Sequence, residues 1–239
     1  MQLLRLTMPT PQHDLALDEA LLETAERGAG TSEMLRFWQA QTTFIVLGRS
    51  GKIDSEIDRS AAERDAVPIL RRSSGGGTVV AAPGCLFYSL LLSLNARPHL
   101  RMIDHAHQFV MEQLVAALQP IEPQLTFRGT CDLVLGDRKL SGNSLRVRRN
   151  YLLYHGTLLL GMDLSLISKY LKHPPREPDY RGGREHHAFV ANLNATAEDV
   201  QRNLQTQWQA TDERSEIPVA LVEQLAADKY ACDQWTFQR

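Results

Sequence analysis

The first strong pattern in the chain is an apolar stripe among acidic residues between Asp14 and Glu26. Leucine and alanine recur there at the three- and four-residue spacing of an amphipathic helix with one buried face. Gly28 and Gly30 follow the stripe, and glycine commonly ends a helix. We therefore predict a helix over Asp14 to Glu26.

After this helix the apolar runs become short and rich in β-branched or aromatic residues, which predicts strands. These strands are Met34 to Trp38, Thr42 to Leu47, Val67 to Arg71 and Thr78 to Ala82. A polar helix, Ser55 to Arg64, is expected between two of them. Cys85 to Leu94 is apolar on both faces and suits a buried central strand, which the helical pattern of Asp104 to Leu118 would cover.

The block from Thr126 to Leu160 predicts an antiparallel meander of three strands joined by the turns GDR and RRN. The strands are Asp132 to Leu135, Lys139 to Val147 and Tyr151 to Leu160. A short helix, Leu164 to Leu171, precedes a loop rich in proline, glycine and arginine, from His173 to His187. Two amphipathic helices are expected after Thr196. The pattern as a whole predicts an α/β (α+β) protein.

Composition narrows the possible functions. A chain of 239 residues suits one domain over 1–239 with a substantial core. With 26 basic and 28 acidic residues, the net charge of -2 gives no reason to expect a nucleic-acid or membrane partner. The 3 cysteines form neither a disulfide framework nor a CxxC pair for zinc. The N-terminus has no signal-peptide pattern, so we expect a cytoplasmic protein.

Three consecutive glycines, Gly75 to Gly77, follow the residues RRSS. Such a run exposes consecutive N–H groups that can form a concave anion site, and Arg71 and Arg72 add cationic donors beside it. A carboxylate or a phosphate would fit this site, but a tight turn that needs positive φ angles explains the glycines equally well. P-loop nucleotide binding is excluded, because the residues around Gly51 lack that motif's first glycine and its Ser/Thr.

Lys139 lies near the start of a predicted strand and is followed by small residues and Gly142. A lysine without bulky neighbours can reach into a cleft as a mobile positive charge. A single lysine in this position is more commonly a solvated turn residue, so the pattern alone leaves both interpretations open.

Six motifs, in order, resemble those of the lipoate-protein ligase and octanoyltransferase family, which is related to the biotin protein ligases. They are DLALDEALL, LRFW, VLGR, RRSSGGGTV, GDRKLSGNS and HGTLLL. The resemblance implies a mixed β-sheet flanked by helices, of the biotinyl/lipoyl-transferase type that is similar to class II aminoacyl-tRNA synthetases.

The resemblance also implies an activity, the attachment of lipoate or octanoate to a lysine of a lipoyl-carrier domain. The carrier would be a 2-oxoacid dehydrogenase E2 or a glycine-cleavage H-type protein. Family ligases first make an acyl adenylate from the acid and ATP with Mg²⁺, and the acceptor lysine then attacks it. Charge builds on the α-phosphate during adenylation, and donors fixed in advance stabilise such charge.

By resemblance, Lys139 supplies that positive charge, and Asp132 either orients Lys139 or binds magnesium. The implied set of residues that bind the substrate and the adenylate is Arg49, Arg72, Ser73, Gly75, Gly76, Gly77, Gly142 and His155. The loop arginines, Arg176, Arg181 and Arg184, either close over the adenylate phosphates or stay solvated. No protein-bound metal is expected, since the adjacent His186 and His187 lack a third ligand.

Two departures from the family pattern limit what can be carried over. Ala81 and Ala82 occupy the positions where family ligases have His-Asp. Bacterial ligases often carry a C-terminal accessory domain associated with adenylation, and this sequence ends at Arg239 without one. We expect either a separate accessory subunit or a reaction that does not include adenylation.

Two alternative functions stay open. An octanoyltransferase would hold the acyl group on a cysteine as a thioester without ATP, and Cys131, next to Asp132, is the candidate nucleophile. Its spacing from Lys139 does not match the transferase motif, so we expect Cys131 to be structural. A non-catalytic binder of acyl groups or lipoyl domains is the second alternative, although such a module has no need of Lys139.

Overall fold

The strands form two sheets in a computed structural model that describes residues 1–28 and 33–238. The described residues contain eleven strands: β1 Gln2–Arg5, β2 Met34–Gln39, β3 Phe44–Leu47, β4 Ile69–Arg71, β5 Val79–Ala81, β6 Cys85–Ser93, β7 Leu125–Arg128, β8 Asp132–Leu135, β9 Arg138–Val147, β10 Tyr151–Leu159 and β11 Asp212–Glu213. Eight of them form one sheet in the order β11-β1-β2-β6-β10-β9-β8-β7, and the others form a small sheet in the order β4-β3-β5. The larger sheet is mixed, because β1 runs parallel to β2 and β11 while the other pairs are antiparallel.

Helices cover both faces of the larger sheet. Nine α-helices lie in the described residues: α1 Pro11–Glu26, α2 Ile53–Glu56, α3 Arg59–Arg64, α4 Ile103–Leu118, α5 Ser165–Tyr170, α6 His186–Phe189, α7 Ala197–Gln207, α8 Val219–Leu225 and α9 Asp233–Thr236. Helix α1 packs with the small sheet and the C-terminal helices in one hydrophobic cluster, and α4 packs with α7 in the cluster on the opposite face. The predicted mixed α/β architecture with flanking helices is confirmed.

Most predicted elements match the structure, with corrections at several places; α6, for example, begins at His186 inside the predicted 173–187 loop. The helix expected over Ser55 to Arg64 is two helices, α2 and α3, because Ile57 is extended and Asp58 caps α3 by accepting a hydrogen bond from the Ala61 N–H. The meander has an additional strand, β7, which pairs with β8. The edge strands β1 and β11 were not predicted, and a π-helical turn with α9 follows the two expected C-terminal helices.

The predicted first helix begins earlier than expected, at Pro11, because the Thr10 hydroxyl accepts a hydrogen bond from the His13 N–H. Gly28 follows its end with a φ of 76°. Gly30, the second predicted stop, lies outside the described residues.

A row of polar side chains crosses four neighbouring strands on the face that α1 covers. The strand register aligns Arg36 with Ser89, Ser89 with His155, and His155 with Ser144. Arg36 is 1% exposed, and its guanidinium binds two carboxylates of α1, that of Asp14 and, at 2.6 Å, that of Asp18. The sheet and its covering helix are therefore joined by buried charge as well as by apolar packing.

We expect Arg36→Met to destabilise the fold strongly. Removing the guanidinium leaves two buried carboxylates without their shared cation, and breaking a buried ion pair from one side costs about 3–5 kcal/mol. Urea denaturation would measure the loss. Arg202→Ala is the matched control, because Arg202 pairs with Asp199 on the exposed face of α7 and should matter much less. Equal losses for the two variants would contradict the prediction.

Candidate functional site

The glycine loop, residues 72–78 between β4 and β5, forms one wall of a cavity of about 480 Å³. Strands β8, β9 and β10 form a second wall, and the 171–185 loop between α5 and α6 forms a third. The cavity brings together most of the residues predicted from sequence: Arg72, Gly76, Gly77, Cys131, Asp132, Lys139, Gly142 and His155.

The three glycines of this loop differ in backbone conformation and in the space around them. Gly76 has a φ of 83°, which favours glycine. Gly75 and Gly77 have ordinary φ values, and a Cβ built on either would meet no atom within 4 Å. No acceptor within residues 1–28 and 33–238 takes a hydrogen bond from the N–H groups of Gly75, Gly76 or Gly77. The loop therefore offers open space and free donors, as an anion site requires.

Arg72 shapes the glycine loop from within. Its buried guanidinium donates to the Ser74 hydroxyl at 3.1 Å and to the carbonyl oxygens of Val46, Gly75 and Gly77. Burial lowers the pKa of Arg72 to about 10, so it remains a cation at neutral pH. Arg72 would therefore support anion binding indirectly, by fixing the conformation of the glycine loop.

Arg71 ties the loop to two other segments. Its guanidinium donates to the carbonyl oxygens of Gly48, Arg49 and Gly51, and to those of Trp235, Thr236 and Gln238. The Gly48 backbone approaches so closely that a Cβ there would lie 1.9 Å from the Gly76 carbonyl oxygen. One side of the glycine loop is therefore packed closely against the backbone of the protein's own Gly48.

The side chains of both serines of the loop are connected to α1 through one intermediate residue each. Ser74 Oγ lies 2.5 Å from His155 Nε2, and His155 Nδ1 lies 3.2 Å from Asp18 Oδ2. The Tyr230 hydroxyl donates to the Glu19 carboxylate at 2.7 Å and interacts with the side chain of Ser73. Asp18 and Glu19 are neighbours on α1, so one turn of helix fixes both serines.

The Ser74, His155 and Asp18 side chains have the connectivity of a hydrolase triad, but Ser74 is 2% exposed and its oxygen accepts from Arg72. It cannot reach a substrate as a nucleophile. Burial raises the pKa of Asp18, but the Arg36 charge and the hydrogen bonds from His155 and Ser89 outweigh it and lower that pKa. The ionised Asp18 therefore orients His155.

Lys139 is the second residue of β9, and its Nζ lies 2.6 Å from Asp132 Oδ1 on the neighbouring strand. A Cβ at Gly142 would lie 3.2 Å from both Cε and Nζ of Lys139, so glycine there makes room for the ammonium. The other carboxylate oxygen, Asp132 Oδ2, accepts a hydrogen bond from Tyr180 at 2.8 Å. Of the two roles considered for Asp132, this arrangement favours the orientation of Lys139.

Cys131 has no feature of an activated nucleophile. Its thiol donates to the Asn143 carbonyl oxygen at 3.0 Å, and Asn143 Nδ2 donates back to the Cys131 carbonyl oxygen. Burial, together with the negative charge of Asp132, raises the pKa of the thiol to about 11 despite the nearby Lys139. A thiol with that pKa is protonated at neutral pH.

The arginines of the 171–185 loop have different environments. Arg181 is buried and donates to the Arg184 carbonyl oxygen, and Arg184 pairs with Asp137 at 2.8 Å. Arg176 is exposed at the cavity wall and has no hydrogen bond or ion pair with any residue in the described part of the chain. Arg176 is therefore the arginine of this loop whose donors are available to a ligand.

The remaining predicted residues lie at the edge of the site. Arg49 is exposed and donates its backbone N–H to the Ser74 carbonyl oxygen at 2.8 Å. Ser73 and Gly75 belong to the glycine loop but not to the cavity wall. Where the structure describes the chain, no three His, Cys, Asp or Glu side chains converge as metal ligands. His186 lies close to the Lys172 carbonyl oxygen through Nε2, at 3.1 Å.

Sequence reasoning missed Asp18, Glu19 and Tyr180. Asp18 carried a signal, because it lies at helical spacing from Leu15 and Leu22 on the buried face of α1. An acid at such a position needs a buried partner, and its partner Arg36 lies between apolar residues of a predicted strand. Tyr180 carried no signal, since the 3₁₀ turn Asp179–Arg181 that contains it is too short to show a hydrophobic period.

Comparison with known proteins gives consistent results. Residues 10–208 match the family model described as the lipoyl protein ligase A/B catalytic domain. A Mycoplasma genitalium protein named "Probable lipoate-protein ligase A" is 32% identical over 173 residues, which cover 72% of this chain and 50% of that protein. The chain thus spans half the length of this relative, and a single domain over 1–239 stays a prediction.

Two solved structures share the fold. A bipartite lipoate protein ligase, studied with its E2 lipoyl domain from Thermoplasma acidophilum, superposes with a TM-score of 0.82 at 22% identity, covering 99% of this chain and 95% of that chain. A lipoate-protein ligase A bound with ATP superposes with a TM-score of 0.79 at 22% identity, covering 99% and 98%. In the described residues no helix has the length and apolar character needed to span a membrane.

We expect Cys131 to resist alkylation. With a pKa of about 11, about one thousandth of the thiol is ionised at pH 8, so iodoacetamide should modify Cys131 at least about tenfold more slowly than the half-buried Cys232. Peptide mass spectrometry would follow each site. Burial raises the pKa of Cys85 to about 12, so Cys85 serves as the unreactive reference. In urea the modification rates of the three cysteines should become equal. Fast modification of Cys131 in the folded protein would contradict this prediction.

Proposed function

The chain belongs to the lipoyl protein ligase A/B catalytic domain family, and from that premise we propose that it attaches lipoate, or octanoate, to a lysine of a lipoyl-carrier domain. The reaction would use ATP in two steps. The acid's carboxylate attacks the α-phosphate, which forms the acyl adenylate and releases pyrophosphate. The carrier's lysine amine then attacks the acyl carbonyl, which forms the amide, loses a proton and releases AMP.

The observation that carries the proposal is the pairing of Lys139 with free backbone donors in one cavity. Two anions, a carboxylate and a polyphosphate, must be brought together for adenylation, and charge grows on the α-phosphate in the transition state. The Lys139 ammonium, fixed by Asp132, and the unpaired N–H groups of the glycine loop are donors arranged before substrate binds. A module that only binds lipoyl domains would not need such a charge.

The substrates fit the remaining walls of the cavity. Apolar side chains of the wall, among them Leu15, Val46, Val80, Phe87 and Leu159, suit the acyl tail of lipoate or octanoate. Arg176 also lines the cavity, and its free donors suit a phosphate of ATP or of the adenylate. Arg72 and His155 act on these ligands through the glycine loop that they hold.

Magnesium would enter as part of the MgATP substrate. Mg²⁺ keeps several water ligands and binds through one or two carboxylates together with substrate phosphates. Both oxygens of Asp132 are already engaged, by Lys139 and by Tyr180, so Asp132 does not fit as its ligand in this arrangement.

The proposed partner is a lipoyl-carrier protein of the 2-oxoacid dehydrogenase E2 or glycine-cleavage H type. A structural neighbour from Thermoplasma acidophilum was studied with its E2 lipoyl domain, which supports this class of partner. That neighbour is described as bipartite, which supports a separate accessory subunit for this chain as well. The proposed location is the cytoplasm, where ATP is available.

Intact-mass spectrometry of an apo lipoyl domain tests the proposal. We expect a lipoyl mass shift with ATP, Mg²⁺ and lipoate, and none with octanoyl-acyl carrier protein in the absence of ATP. Lys139→Ala should reduce the initial rate at least about a thousandfold, since it removes the charge aimed at the transition state. Cys131→Ser should retain the wild-type rate.

A mass shift only in the ATP-free reaction, lost in Cys131→Ser, would replace the ligase with the thioester-forming transferase. If neither reaction gives a shift, adding the second component of the bipartite Thermoplasma acidophilum ligase distinguishes an incomplete ligase from a non-catalytic binder.

We expect Gly77→Ala to weaken substrate binding without unfolding the protein. The added methyl group meets no protein atom but enters the space proposed for ligand, so the KM for lipoate or ATP should rise about tenfold. Gly161→Ala is the matched control, because Gly161 is equally unobstructed and lies outside the cavity wall. Thermal melting and initial-rate kinetics would be measured on both variants. Unchanged KM values in Gly77→Ala would contradict the placement of the substrates.

A further inference from the structure

Tyr180 connects the 171–185 loop to the lysine of the site through one carboxylate. Its hydroxyl donates to Asp132 Oδ2 at 2.8 Å, while Lys139 Nζ lies 2.6 Å from Oδ1 of the same group. Asp132 is 8% exposed, so little water competes for either oxygen. The orientation of Asp132, and with it that of Lys139, is thus fixed from both sides.

The Tyr180 ring is held in place by an aromatic and a cationic side chain from two different elements. It packs against Phe189 of α6 with ring centroids 5.3 Å apart, and the Arg128 guanidinium lies 5.9 Å from its centroid. The carbonyl oxygen of Tyr180 accepts from Arg184, which also binds Asp137. Burial and the charge of Asp132 raise the pKa of Tyr180, so its hydroxyl stays protonated and able to donate.

The loop that carries Tyr180 is also a wall of the cavity. Pro174, Arg176, Glu177 and Arg181 of this loop line the same space as Lys139. A displacement of the loop would therefore withdraw the Tyr180 hydroxyl from Asp132 and open the cavity wall together. The hydrogen bond between Tyr180 and Asp132 therefore couples the position of the loop to the orientation of Lys139.

We propose that Tyr180 is a positioning residue that aligns Lys139 by holding Asp132 Oδ2, so that the ammonium is in place only while the 171–185 loop covers the site. The consequence for turnover rests on the proposed function of Lys139. The alignment itself is a property of this chain and can be measured without substrate.

The substrate-free test is competitive labelling of amines by reductive methylation with formaldehyde, read out at Lys139 by peptide mass spectrometry. We expect Tyr180→Phe to label at Lys139 at least about threefold faster than wild type, because the loosened carboxylate releases the ammonium. In the Asp132→Asn background, Tyr180→Phe should not increase the labelling of Lys139 further, since Asp132 couples Tyr180 to Lys139. Tyr170→Phe is the matched control: its hydroxyl donates to Asp65 at 2.9 Å, away from the cavity, and Lys139 should label as in wild type.

The kinetic test uses the full chain with ATP, Mg²⁺, lipoate and an apo lipoyl domain. We expect Tyr180→Phe to lower kcat about tenfold with the KM for lipoate changed less than about twofold, which separates loss of alignment from loss of binding. Unchanged labelling of Lys139, or equal acceleration in the Asp132→Asn background, overturns the proposal. Faster labelling in Tyr180→Phe together with an inactive wild-type protein supports the alignment and overturns the proposed function.

Discussion

The hydrogen bonds of two adjacent buried carboxylates, Asp18 and Glu19 of α1, are the constraint on which the site depends. Asp18 is bound by Arg36, Ser89 and His155, and Glu19 by Arg146, Lys229 and Tyr230. Their networks reach the glycine loop separately, at Ser74 and at Ser73. Because each carboxylate is compensated by cations and hydrogen bonds, the helix can bury both charges and use them to fix a loop that has little side-chain packing of its own.

The cations of the molecule divide into those that maintain shape and those that face the cavity with donors available. Arg36 binds carboxylates, and Arg71 and Arg72 bind mainly backbone carbonyl oxygens. These groups set the conformation of the glycine loop and leave the N–H groups of Gly75, Gly76 and Gly77 free within the described residues. Lys139 and Arg176 face the cavity instead. Such an arrangement is preorganised, since the donors need not rearrange when an anion arrives.

Most of the fold could be predicted from the sequence because its core elements have clear periodicity, such as the apolar run of β6 and the helical spacing of α4. The two-residue edge strand β11 has no such pattern, since both its residues are exposed and its pairing depends on β1, far away in sequence. In the site, Lys139 and the glycine loop were predictable from resemblance to a family. The partner of Asp132 in the 171–185 loop was not, because Tyr180 lies in a three-residue 3₁₀ turn without a sequence pattern and its role depends on tertiary contacts.

The contacts of Arg71 have a consequence for how this chain can diverge. They join the glycine loop to the segment around Thr236 and Gln238 entirely through carbonyl oxygens on the acceptor side. Every residue type carries that acceptor, so these contacts tolerate substitution in the segment except at Trp235, whose indole N–H donates back to the Arg71 carbonyl oxygen at 2.7 Å. Insertions or deletions that shift the backbone would break it. Among related chains, the spacing between these two regions should therefore be a better marker of a shared site than the identity of the residues that meet there.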